Sequence, residues 1–88
     1  MDAPRPDAPA PEGMPLSAAL VGQTVTFLAV TGGGRGLMLR LAEMGLTPGM
    51  RMEVLNRGPG PFIVSVRGTR LMLGRGMVDR ILVRRASP

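Results

Sequence analysis

The chain has 88 residues, which is enough for one small domain, and it contains neither cysteine nor histidine. These absences exclude disulfides and thiolate metal sites, and they remove the commonest metal ligand and general base. The net charge is +5 with arginine as the basic residue throughout, which suits either a soluble surface or an anionic partner such as nucleic acid, an acidic protein or a membrane surface.

The charge is distributed unevenly along the chain. Residues 1–15 carry three acids against Arg5, a net of −2, whereas residues 16–88 carry ten arginines against three acids, a net of +7. The first segment is rich in proline and alanine and is predicted to be a flexible, partly extended tail. It resembles neither a signal peptide nor a membrane span, and no later window is apolar for long enough to cross a bilayer. A soluble, cytoplasmic protein is therefore expected.

The folded part is expected to begin with a short turn over residues 15–22, with Ser17 as its cap. Three apolar residues are expected to pack beneath this turn: Leu16, Leu20 and Val21. Residues 23–30 then have the β-branched and aromatic content of a first strand, in which Val25, Phe27 and Ala29 share one face.

A glycine-rich loop, TGGGRG over residues 31–36, precedes the next element. It lacks the spacing of a Walker loop and of the dinucleotide-binding fingerprint, so nucleotide binding is disfavoured. The loop is predicted to be a strand-to-helix turn.

A short amphipathic helix follows, and it ends at Gly45, where a left-handed cap requires glycine. Its apolar stripe is Leu37, Met38, Leu41 and Met44. Leu39 falls on the opposite side, between Arg40 and Glu43. Two interpretations of Leu39 stay open, an ordinary exposed leucine or a contact for a partner.

Alternation in residues 50–57, 62–67, 70–73 and 80–84 predicts four further strands, with a helical turn over residues 74–79. The fold class is therefore mainly β, a closed or nearly closed SH3-like barrel of about five strands, with one short helix between strands 1 and 2. The chain has eight methionines, and those at strand and helix positions are expected to face the core, where they fill gaps rather than bind a soft metal. No catalytic residue, metal site or cofactor is predicted.

The run LRLAEMGLTPGMRMEV, residues 39–54, resembles the RL..LGL.PG..V.V signature of the ferrous iron transport protein A (FeoA) family. The segments LSAALVGQTVTF and LMLGRGMVDRILV resemble the opening and the ending of that family, so the resemblance spans residues 16–84. The positions that match the signature most closely are Arg40, Leu41, Gly45, Leu46, Pro48 and Gly49, and all but Arg40 are expected to be architectural. Gly74 departs from the family, which often has an arginine there. The loop GPGPFIV also lacks the acid that commonly precedes the family's Pro-Ile pair.

The resemblance implies a domain of residues 16–84 between a tail of residues 1–15 and a tail of residues 85–88. It also implies a non-enzymatic cytosolic protein that binds and modulates a membrane ferrous iron permease, ferrous iron transport protein B, which carries a cytosolic G-domain. The protein would then act at the inner face of the membrane through this partner. A surface made of Arg35, Leu39, Arg40 and Glu43 is the predicted contact.

Two other functions stay open at this stage. The charge of residues 16–88 permits a nucleic-acid-binding barrel, although two phenylalanines are the whole aromatic content and stacking platforms are therefore scarce. The same module also occurs in metal-dependent repressors, which permits a stand-alone regulatory or metal-responsive domain. A homo-oligomer that gathers carboxylates from several subunits to bind a metal is also left open.

Overall fold

The computed structural model describes residues 13–32 and 35–86. They form a six-stranded antiparallel sheet with two helices and one 3₁₀ turn. The elements in chain order are β1 (Met14–Pro15), the 3₁₀ helix (Leu16–Ala18), β2 (Thr24–Val30), α1 (Arg35–Glu43), β3 (Arg51–Asn56), β4 (Phe62–Val66), β5 (Thr69–Leu73), α2 (Arg75–Val78) and β6 (Ile81–Arg85).

Strand alternation determines which side chains enter the core. In β3, Met52 and Val54 are buried while Arg51 and Glu53 are exposed, which confirms the two-residue period read from the sequence. β4 and β6 follow the same rule, and so does the first half of β2. The resulting core contains only apolar side chains among the described residues, with Phe27 and Phe62 as its largest members.

Helix α1 turns its apolar stripe inward and ends where the sequence predicts. Leu41 is fully buried, and Leu37, Met38 and Met44 pack against the core from partly exposed positions. Gly45 has a φ of +93°, a conformation that costs other residues free energy. The next residue, Leu46, is fully buried, and its N–H donates to the Leu41 carbonyl at 2.8 Å. The helix is thereby closed and the chain directed into the turn before β3.

Strand β2 lies in the middle of the sheet and pairs with β3 on one side and β6 on the other. A register shift between Phe27 and Ala29 marks a bulge in the pairing with β6, and bulges bend and twist a sheet. The strand order is β1-β6-β2-β3-β4-β5. The sheet is thus curved but not closed by hydrogen bonds, and β1 and β5 are its edges.

The SH3-like, mainly β prediction is confirmed, with β1 as an additional strand. β1 brings residues 14–15 into the sheet through the pairs Met14–Val83 and Pro15–Leu82, and β6 extends to Arg85. The sheet therefore includes residues on both sides of the predicted domain limits, 16 and 84. The rest of the predicted tails, residues 1–12 and 87–88, lies outside the described residues.

Two local expectations near the start of the domain are wrong. Ser17 caps nothing with its side chain, because it lies inside the 3₁₀ helix, whose N-cap is Pro15 and has no side-chain hydrogen bond. Leu16 is buried as expected, but Leu20 and Val21 are 57% and 59% exposed. They lie at a turn whose backbone is held by the Gln23 side chain, which accepts from the Leu20 N–H at 2.8 Å.

Candidate functional site

The four side chains predicted to contact a partner all lie on the exposed part of α1. Arg35, Leu39 and Glu43 follow one another at intervals of four residues, so they form one row along the helix. Arg40 flanks this row. Leu39 is 63% exposed, which places an apolar side chain in water between charged neighbours. We call these four residues the α1 surface.

A groove of about 370 Å³ borders the α1 surface. It is lined by Gly36, Leu37, Arg40, Met77 and Arg80, so it lies between α1 and the segment of α2 that leads into β6. Leu37 and Met77 supply apolar walls, while Arg40 and Arg80 supply positive charge. We call it the α1–α2 groove. Arg40 belongs to both features and joins them into one continuous area.

Arg80 holds the loop that leads into α1. Its Nε donates to the Thr31 carbonyl at 3.2 Å and its Nη2 to the Gly32 carbonyl at 3.3 Å. In return the Thr31 N–H donates to the Arg80 carbonyl at 2.8 Å. The residues that follow β2 are thereby tied to the residue before β6, across 49 positions of sequence. Sequence patterns did not identify Met77 or Arg80 as part of this area, because only the sheet brings them to α1.

Apart from Arg40, the signature positions lie behind and beside this surface rather than on it. Leu41 and Leu46 are fully buried. Gly49 has a φ of +96°, and its N–H donates to the Phe27 carbonyl at 2.8 Å, so the turn after the helix is fastened to the central strand. Pro48 is exposed at the tip of that turn. These positions set the orientation of α1 on the sheet.

In the part of the chain that the structure describes, no group of three or more His, Cys, Asp or Glu side chains is placed to hold a metal ion. Among residues 13–32 and 35–86, no helix has the length and apolar character needed to cross a membrane.

Residues 14–85 match the model of the FeoA domain. The chain belongs to the FeoA domain family. The FeoA resemblance read from the sequence is therefore confirmed, and with it an association with ferrous iron transport.

A curated relative and a solved structure agree with this assignment. The chain is 35% identical to the putative Fe(2+) transport protein A of Methanocaldococcus jannaschii over 69 residues, which cover 78% of this chain and 83% of that protein. It is 36% identical to the crystal structure of an iron uptake regulatory protein (FeoA). The TM-score is 0.74, and the match covers 84% of this chain and 97% of that chain.

The same fold occurs in larger proteins of another kind. A manganese-dependent transcriptional repressor has a TM-score of 0.78 at 24% identity, and the match covers 89% of this chain and 44% of the repressor. A likeness at this identity concerns the fold alone. The architecture of this FeoA-family domain therefore does not by itself separate a transport role from a regulatory one.

Proposed function

We propose that this FeoA-family chain is a non-enzymatic accessory protein that binds the cytosolic part of a membrane ferrous iron permease and modulates iron transport. The contact is made by the α1 surface, and the α1–α2 groove extends it. The family assignment supports the iron-transport context. The permease as partner, and the inner face of the membrane as the place of action, come from the resemblance described above.

The observation that carries the proposal is the exposure of Leu39. A leucine that is 63% exposed on the longest helix of the described chain gains free energy only when another surface covers it. Arg35, Arg40 and Glu43 surround it with charges that fix the orientation of a partner. An apolar centre with a charged rim is the usual anatomy of a protein interface.

A second observation that supports the proposal is the attachment of α1 to the rest of the domain. At the end of α1 the Leu46 N–H donates to the Leu41 carbonyl, and both leucines are fully buried, so the surface is presented by an element that is fixed to the core. A rigid surface loses less conformational entropy on binding than a loop does.

A pull-down or calorimetric titration with the isolated cytosolic part of the permease tests the proposal. Leu39→Asp and Arg40→Glu should each weaken binding by about 30-fold, since truncation of a central contact commonly costs 2 kcal/mol or more. The matched controls are Met72→Asp and Arg70→Glu on β5. Met72 is 65% exposed, close to the value for Leu39, and Arg70 is exposed as well, so the controls make the same changes elsewhere.

Equal binding by the α1 variants and the β5 controls would rule out the α1 surface as the contact. Failure of the unaltered chain to bind would reject the permease as the partner. Circular dichroism of each variant shows whether the fold is retained, and all four positions lie outside the core, so retention is expected.

A further inference from the structure

A second cavity, of about 220 Å³, lies between the 3₁₀ helix, the β3–β4 connection and α2. It is lined by Ser17, Arg57, Phe62, Arg75, Val78 and Asp79. None of these residues belongs to the α1 surface or to the α1–α2 groove. This volume is many times the minimum needed for one water, so the cavity has room for a phosphate group and its hydration water.

Arg57 is held in this cavity by the main chain and not by an acid. Its Nη2 donates to the Ser17 carbonyl at 2.9 Å, and its side chain is partly buried. Its Nε is enclosed by protein atoms and has no hydrogen-bond partner. A neutral carbonyl satisfies one donor but does not neutralise the guanidinium, so a negative group in the cavity would interact favourably with the charge of Arg57.

Arg75 brings a second guanidinium to the same place. Its Nη1 donates to the Arg57 carbonyl at 2.9 Å. It also lies close over the backbone of Gly58, where an added Cβ would come within 3.1 Å of Nη1. The glycine therefore allows this approach. The Arg57 guanidinium is thus bound to the 3₁₀ helix and the Arg75 guanidinium to the β3–β4 connection, each through a main-chain carbonyl.

The charge of the lining is positive. Two arginines face one acid, Asp79, among the described residues that line the cavity. Phe62 and Val78 add apolar walls. Two guanidiniums at one cavity favour a multivalent oxyanion over a cation or an apolar molecule, because each guanidinium matches the oxygen spacing of phosphate with paired N–H donors.

We propose that this cavity binds a phosphate group, either the free ion or a small phosphate monoester. Arg57 and Arg75 supply the donors, Ser17 lines the same cavity, and Asp79 limits the affinity through repulsion. The proposal is independent of the permease contact, because it uses a different set of residues.

The test is an amide-shift NMR titration of the full chain with inorganic phosphate at constant ionic strength, with glycerol 3-phosphate in a parallel arm. Saturable shifts at Ser17, Gly58 and Asp79 are expected, with a dissociation constant on the order of 1 mM. Arg75→Gln should weaken binding by about tenfold, because a hydrogen bond to a charged group is lost. Asp79→Asn should strengthen binding by about threefold, because a like charge is removed from the cavity.

The control is Arg70→Gln, which removes the same charge from the exposed face of β5. Its affinity should equal that of the unaltered chain. Arg75→Lys keeps the charge without the planar fork and should fall between the unaltered chain and Arg75→Gln. These variants alter exposed positions, and the amide spectrum itself reports whether each one is folded.

Tighter binding of inorganic phosphate would identify the free ion as the ligand, and tighter binding of glycerol 3-phosphate would identify a monoester. The proposal is overturned if neither compound produces saturable shifts by about 10 mM, which is tenfold above the expected constant. It is also overturned if Arg70→Gln weakens binding as much as Arg75→Gln does, or if Asp79→Asn fails to strengthen it.

Discussion

Two glycines at opposite ends of α1 allow a sharp test of how the helix is terminated. Gly36 lies inside the helix and Gly45 lies just beyond it, and a Cβ added at either position meets nothing within 4 Å. The Cβ of an alanine at either site therefore makes no new contact, and its effect on stability comes from backbone conformational preference alone. At Gly36, alanine should stabilise the fold by about 0.5–1 kcal/mol, because it raises helix propensity and restricts the unfolded chain. At Gly45, where φ is +93°, alanine should cost about 1–2 kcal/mol.

Thermal unfolding followed by circular dichroism measures both changes. For a domain of this size, 1 kcal/mol corresponds to about 4–8 °C in Tm. Gly36→Ala should therefore raise Tm by about 2–8 °C, and Gly45→Ala should lower it by about 4–16 °C. Shifts of the same sign for the two variants would refute the reasoning, since the only difference it recognises between the sites is the backbone conformation.

Other substitutions test the core, the helix anchor and the exclusion of nucleic acid. Leu41→Ala should cost about 2–5 kcal/mol in chemical denaturation because Leu41 is fully buried, whereas Leu39→Ala should stay within about 0.5 kcal/mol. Arg80→Gln should speed amide hydrogen exchange at the start of α1 more than in β4, because it removes the hydrogen bonds to the loop carbonyls. Titration with single-stranded RNA should show no binding that persists at high salt, because Phe27 and Phe62 are both buried and cannot stack on bases, which leaves only salt-sensitive contacts to phosphate.

Local structure was predictable from the sequence wherever a periodic pattern or a special backbone position was present. The stripe of α1, the glycine cap at Gly45 and the alternation of β3 each depend on neighbours within a few residues. β1 was not predictable, because two residues show no period and Met14–Pro15 becomes a strand only by pairing with β6. The open sheet was not predictable for the same reason: closure depends on which distant strands exchange hydrogen bonds.

The candidate sites also differ in whether a local sequence pattern predicts them. The α1 surface was found because Leu39 breaks the apolar pattern of a single helix. The α1–α2 groove includes Met77 and Arg80, and the cavity proposed to bind phosphate includes Arg57 and Arg75. The residues of each site come together only in the folded chain. One signal was present in the sequence: Gly74 departs from the family pattern, and the arginine that follows it is the one that reaches the Arg57 carbonyl.

The two residues of β1 have a consequence for any shortened version of this protein. Met14 and Pro15 pair with the edge of β6 that faces away from β2. Proline has no N–H to donate to a further strand. A chain trimmed to start at Leu16 would leave β6 with unpaired backbone N–H and C=O groups. Strands of other molecules could then pair with this edge. We expect such trimming to lower solubility through this exposed edge of the sheet, while the hydrophobic core stays intact.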